Sequence, residues 1–217
     1  MLKVMRGNER ELVIRSKGLE LRGILGIPAS PAGIVVFAHG SGSGRLSPRN
    51  NFVARVLQDA GMATLLSDLL QEQEESDRTK IFDIDLLADR LLIISQWLVQ
   101  GEETGGLKLG YFGASTGAAA ALQAAAREPA NVAAIVSRGG RPDLALQYLG
   151  LIAAPTLLIV GGDDEPVIYM NREAYERLPG RKQLVIIPGA SHLFEEPGAL
   201  EKVGGLARDW FLENFNI

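Results

Sequence analysis

The chain has 217 residues, of which 47% are hydrophobic, a net charge of -4 at neutral pH and no cysteine. That length and apolar content suffice for one sizeable core, so a single domain over residues 1–217 is expected. The missing cysteines exclude disulfides, Cys-based metal sites and a thiol nucleophile, and the acidic balance speaks against a general nucleic-acid binder.

The first stretch, Met1 to Arg15, is charged and lacks the continuous apolar segment of a secretory leader. No later stretch reaches the roughly 18 apolar residues of a membrane helix. The expectation is a cytoplasmic protein with no membrane partner. Glu11–Ile14 and Leu19–Ile27 read as strands joined across Ser16-Lys17-Gly18, and Leu19/Leu21 alternating with Glu20/Arg22 suggests a half-exposed antiparallel edge. Gly33–Ala38 is apolar on both faces, as a central parallel strand should be.

His39-Gly40-Ser41-Gly42-Ser43-Gly44-Arg45 follows, and Ser47-Pro48 then reads as N-cap and first residue of a helix that Gly61 ends. Ala63–Ser67 is a short strand. The acid-rich stretch Gln71–Lys80 reads as a solvated surface loop, and Ile84, Leu87, Leu91, Ile94 and Leu98 mark one face of a long helix.

Leu107 to Ala114 is a strand that runs into Gly113-Ala114-Ser115-Thr116-Gly117, and the small-residue run to Ala126 is the helix that leaves it. An ordinary turn with a serine N-cap would share the pentapeptide. Between an apolar strand and a helix it has the parts of a nucleophile elbow, with glycines where a Cβ would collide with a neighbouring element. Val132–Val136 is the next strand, Pro142–Leu149 a short helix and Thr156–Val160 a strand. Tyr169–Leu178 is helical, Leu184–Ile187 a strand, and Leu200–Phe215 a closing helix. Strands alternating with helices mean an α/β, doubly wound, mostly parallel sheet with an antiparallel N-terminal edge. The short Ser137–Pro155 segment leaves no room for a lid domain.

A serine hydroxyl needs a base near neutral pH, and the base needs an orienting carboxylate. Of the two histidines, His192 lies just past the last strand, and Asp164 lies just past the one before it. Ser115, Asp164 and His192 therefore stand in the order this architecture requires. Asp164 is preferred to Asp163 because it sits one residue deeper in its loop. His39 precedes the serine and reads as a brace for the glycine-rich loop. That loop would supply the Ser41 backbone N–H as one oxyanion donor, with the Thr116 N–H as the other. A phosphate cradle fails at Arg45, where Gly-x-Gly-x-x-Gly would need glycine.

These motifs make the chain similar to an α/β-hydrolase of the dienelactone-hydrolase-like group. His39 to Ser43 resembles that fold's oxyanion loop and Gly113 to Gly117 its elbow. Gly161-x-x-Asp164-x-x-Val167 resembles its acid loop, and Gly189 to Phe194 its histidine loop. The match runs from about Leu19 to Phe215. Dienelactone hydrolases proper use cysteine where Ser115 stands, which points to general ester chemistry. The resemblance implies hydrolysis of a small-molecule carboxylic ester or lactone, with no cofactor and no metal. An acyltransferase or thioesterase could use the same three residues, and a non-catalytic binding protein could keep the fold. Arg45, Arg49, Arg138 and Arg141 lie in two loops facing one cleft and could engage an anionic group on the substrate.

Overall fold

A computed structural model describes residues 8–215. The reading of Met1 to Gly7 as a charged start without a leader falls outside that range. Eight strands form one sheet: β1 (Glu9–Ser16), β2 (Leu19–Gly26), β3 (Ile34–Ala38), β4 (Ala63–Ser67), β5 (Leu109–Ala114), β6 (Val132–Arg138), β7 (Thr156–Gly161) and β8 (Lys182–Ile187). Their spatial order is β1-β2-β4-β3-β5-β6-β7-β8. Only β1–β2 and β2–β4 pair antiparallel, and every other pair is parallel. The antiparallel edge is where the Leu19/Leu21 alternation put it, with Glu20 and Arg22 exposed and both leucines buried.

The helices are α1 (Pro48–Asp59), α2 (Arg78–Ile81), α3 (Ile84–Gln100), α4 (Thr116–Arg127), α5 (Glu165–Arg177) and α6 (Ala199–Phe215). They divide between two faces because the central strands are apolar on both sides. Phe37 and Phe112 pack with Val53 and Leu57 of α1 and Phe211 of α6. Their neighbours Val36 and Tyr111 face the other way, into a core with Leu91 of α3 and Ala120 and Leu122 of α4. Parallel strands that alternate between two cores this way fix the register, since a one-residue slip would exchange the faces.

Three segments depart from expectation. The stretch Gln71–Lys80 is not simply a solvated loop: a 3-10 turn spans Glu72–Glu74, and α2 begins at Arg78. Glu74 is buried there and accepts from the Gln71 N–H, Lys80 Nζ and Arg90 Nη2. Composition marked those residues as solvated, but ion pairing offsets the desolvation of that one carboxylate. The short helix expected over Pro142–Leu149 is of 3-10 type and reaches Leu151 across a kink at Ala145, packed on α4 and α5 and with no lid. Helix α5 starts at Glu165, four residues before Tyr169, because Pro166 occupies the first turn, where its missing N–H costs nothing. None of the described helices is long and apolar enough to cross a membrane.

Candidate active site

The candidate residues gather where the parallel strands end. Ala38 pairs with Gly113, Ala114 with Arg138, and Gly161 with Ile187. The loops that follow these residues carry His39, Ser115, Gly139, Asp164 and His192, so the register alone brings them to one edge of the sheet.

Ser115 is held at φ 51° and ψ -121°, between the last residue of β5 and the first of α4. A non-glycine residue in that region carries about 1–3 kcal/mol of strain and persists only where its surroundings impose the conformation. Here they do. The Ser115 N–H donates to the Arg138 carbonyl at 3.2 Å, and the Ser115 carbonyl accepts from the Arg141 N–H at 3.1 Å. The glycines of the elbow are required by space: a Cβ at Gly113 would meet the Ala118 backbone at 2.4 Å, and one at Gly117 the Ala38 carbonyl oxygen at 2.1 Å. Ser115 itself is half-buried, and its Oγ makes no hydrogen bond to another described residue. Catalytic hydrogen bonds are often long in an unliganded site and tighten around substrate.

His192 and Asp164 do meet. His192 Nδ1 lies 2.6 Å from Asp164 Oδ2, and the aspartate is much less exposed than the ring, at 14% against 39%. A carboxylate can only accept, so Nδ1 carries the proton and Nε2 is left as the basic nitrogen. Asp163 instead is exposed and uses its N–H on the Ala190 carbonyl at 3.0 Å. The imidazole stands over Gly139, where a Cβ would lie 3.4 Å from Cε1. The loop that anchors the Ser115 backbone therefore also underlies the histidine ring.

The glycine-rich loop backs the serine, since a Cβ at Gly40 would come within 3.0 Å of Ser115 Cβ. His39 braces this loop from beneath. Its Nε2 accepts the Leu69 N–H at 2.9 Å and its Nδ1 lies 3.0 Å from the Gly40 carbonyl. Those partners require a neutral imidazole with the proton on Nδ1, and burial lowers its pKa below the usual histidine value. The Thr116 N–H lies in the first turn of α4, where no carbonyl of the helix can accept it. The Ser41 N–H is already engaged: it donates to Thr116 Oγ1 at 3.0 Å. That contact joins residues far apart in sequence, and no motif signalled it. A cleft of about 520 Å³ opens beside these groups, lined by Gly40, Ser41, Arg49, Leu70 and Thr116 among others.

The four arginines separate. Arg45 makes an ion pair with Asp68 at 2.5 Å, and Arg141 makes a two-bond pair with Asp143 at 2.9 and 2.8 Å. Arg49 Nη1 reaches Glu195 at 3.0 Å, while its Nε is buried without a partner. Arg138 is 8% exposed, has no carboxylate partner among the described residues, and leaves Nε and Nη1 buried without hydrogen bonds. Its guanidinium lies 6.0 Å from the centre of the Phe194 ring, and burial together with the nearby Arg49 charge lowers its pKa to about 10. Among the described residues no cluster of His, Asp and Glu could hold a metal ion.

An eight-stranded sheet of this order, with a strained serine at the β5–α4 turn, defines an α/β-hydrolase fold. Comparison narrows the class. Residues 21–204 match the model of the dienelactone hydrolase family, and the chain belongs to that family. It is 56% identical to a crystal structure of a dienelactone hydrolase from Anabaena variabilis, with a TM-score of 0.92 over 95% of this chain and 99% of that one. A protein of Mycobacterium tuberculosis, provisionally named a phosphoribosyl transferase, is 55% identical over 206 residues. These residues are 95% of this chain but 46% of that protein, so the chain spans about half the length of this curated relative. The esterase domain of a Rhodothermus marinus protein shares the fold at 17% identity, with a TM-score of 0.77 over 95% of this chain and 99% of that one.

Proposed function

We propose that the chain hydrolyses carboxylic esters, lactones included, of small molecules through an acyl-enzyme on Ser115. His192 Nε2 takes the serine proton as Oγ attacks the carbonyl, then returns it to the leaving alcohol. Asp164 holds the ring in the required tautomer and stabilises the imidazolium. Donors around the Thr116 amide and the Ser41 loop bind the oxyanion, and water releases the acyl group by the same steps in reverse order. The observation that carries this reading is the 2.6 Å contact of His192 Nδ1 with Asp164 Oδ2 at the edge where the elbow strains Ser115. Membership of a hydrolase family supports it. The transferase name belongs to a protein about twice as long, of which this chain matches one part.

The anion-binding reading narrows to Arg138. Arg45, Arg49 and Arg141 have carboxylate partners in Asp68, Glu195 and Asp143. Among the described residues Arg138 has none, and its unpartnered Nε and Nη1, with the Arg49 charge close by, favour a substrate carrying an anionic group near the acyl site.

A fluorophosphonate probe should label Ser115 alone among the serines, and turnover of 4-nitrophenyl esters should fall in proportion to the labelled fraction. Labelling elsewhere, or full turnover by Ser115→Ala, would remove the proposal.

A further inference from the structure

We infer that the side-chain hydroxyl of Thr116 is a direct hydrogen-bond donor to the oxyanion, and that the Ser41 amide acts through it. The inference rests on the proposed Ser115 chemistry and adds a residue to it. Sequence reasoning assigned two donors, the Ser41 N–H and the Thr116 N–H. In the structure the first points at Thr116 Oγ1, 3.0 Å away. An N–H aimed at a hydroxyl oxygen is not aimed at a substrate oxygen, so the assignment of Ser41 as a direct donor does not fit this geometry.

The hydroxyl itself is well placed. It lies against the amide of the loop whose Gly40 abuts Ser115 Cβ, and it belongs to the residue whose own N–H opens α4. Thr116 is 2% exposed and lines the cleft together with Gly40 and Ser41. A hydroxyl has one proton and two lone pairs. Here one lone pair accepts the Ser41 N–H, and the proton has no acceptor among the described residues. A buried donor without an acceptor is costly, and a negative oxygen forming on the substrate beside Ser115 would satisfy it. The bond from Ser41 also polarises the hydroxyl, which makes it a stronger donor than it would be alone. The oxyanion would thus receive two bonds from one residue, the Thr116 N–H and the Thr116 O–H, with the Ser41 N–H behind the second. No proton is transferred in this step: the hydroxyl donates a hydrogen bond, and His192 carries the only moving proton.

Thr116→Val removes the hydroxyl and keeps the shape, and Thr116→Ser keeps the hydroxyl. With 4-nitrophenyl acetate, Thr116→Val should lower kcat by ~10²–10³, the usual effect of deleting one oxyanion donor, with KM within about twofold. Affinity for a boronic acid that mimics the tetrahedral intermediate should fall in step with kcat/KM. Thr116→Ser should stay within about fivefold of the parent on both measures. A Thr116→Val enzyme as fast as the parent, or faster, would overturn the inference and show that the hydroxyl merely occupies the hole while the Ser41 amide is the donor. Equal losses in the valine and serine variants would overturn it too, since packing of the methyl group would then be the cause. Should the valine variant not fold, Thr116→Ala carries the same comparison. Failure of the parent itself to label at Ser115 or to cleave esters would instead remove the underlying function, a different result from an unaffected variant.

Discussion

Asp164 Oδ2 lies 2.6 Å from His192 Nδ1, while its neighbour Asp163 is exposed and binds the Ala190 carbonyl through its main chain. The two aspartates differ by one position but face different ways, because the turn after β7 must place one of them over the loop after β8. That loop lies alongside, fixed by the Gly161–Ile187 pairing.

The first prediction uses that difference. Asp164→Asn should lower kcat by up to ~10⁴, since an amide can present its NH₂ to Nδ1 and favour the wrong tautomer. Asp163→Asn should leave kcat within about twofold. Steady-state ester hydrolysis by the two variants checks it, and the opposite ranking would reassign the acid.

The elbow predicts a conflict between stability and activity. Ser115 holds φ 51°, a region where glycine is unstrained. Ser115→Gly should relieve part of the ~1–3 kcal/mol of strain, offset by the ~0.5–1 kcal/mol that glycine's freedom adds to the unfolded state. The net expectation is a variant at least as stable as the parent and more stable than Ser115→Ala. Both should lose the acyl-enzyme, and chemical denaturation of all three proteins gives the order.

His39 predicts a pH dependence of folding. Its folded pKa lies below the ordinary value of 6.5, chiefly through burial, with the Gly40 carbonyl and the Asp68 and Glu75 charges acting weakly the other way. As pH falls below 6.5 the unfolded chain takes up a proton that the folded protein refuses. Stability from this residue is therefore fully present above 6.5 and falls with pH until the folded pKa is reached. Denaturant midpoints measured from pH 8 to pH 5 should show the loss, and His39→Asn should be less stable at pH 8 and flatter across the range.

Much of the architecture could be read from the residues because its signals are local. Apolar runs on both faces give the central strands, and Gly113 and Gly117 mark a turn that only glycines can make. The α5 boundary was missed because Pro166 reads equally as a turn residue and as a first-turn helix residue. The site was legible as loops and chain order, not as partners. Nothing local pairs Arg45 with Asp68 or aims the Ser41 amide at Thr116, since β4 and β3 bring the first pair together and β3 and β5 the second. Glu74 is the reverse case: its neighbours are polar, yet Lys80 and Arg90 let it be buried.

Arg138 gives the last prediction. A guanidinium that is 8% exposed, with Nε and Nη1 lacking acceptors and a second arginine nearby, carries an uncompensated desolvation cost. Replacing such a group by an apolar side chain of similar length is often neutral or stabilising, by about 1–4 kcal/mol for buried ionic groups. Arg138→Met should therefore fold as stably as the parent or more so. If the charge serves an anionic substrate, the same variant should lose activity selectively. A charge-assisted bond contributes ~1.5–3 kcal/mol, so kcat/KM for a 4-nitrophenyl hemisuccinate should drop about ten- to a hundredfold. The neutral 4-nitrophenyl butyrate should change by less than about threefold. A variant that is destabilised and equally impaired on both esters would make Arg138 a structural partner of Phe194, and the anion-binding role would be withdrawn.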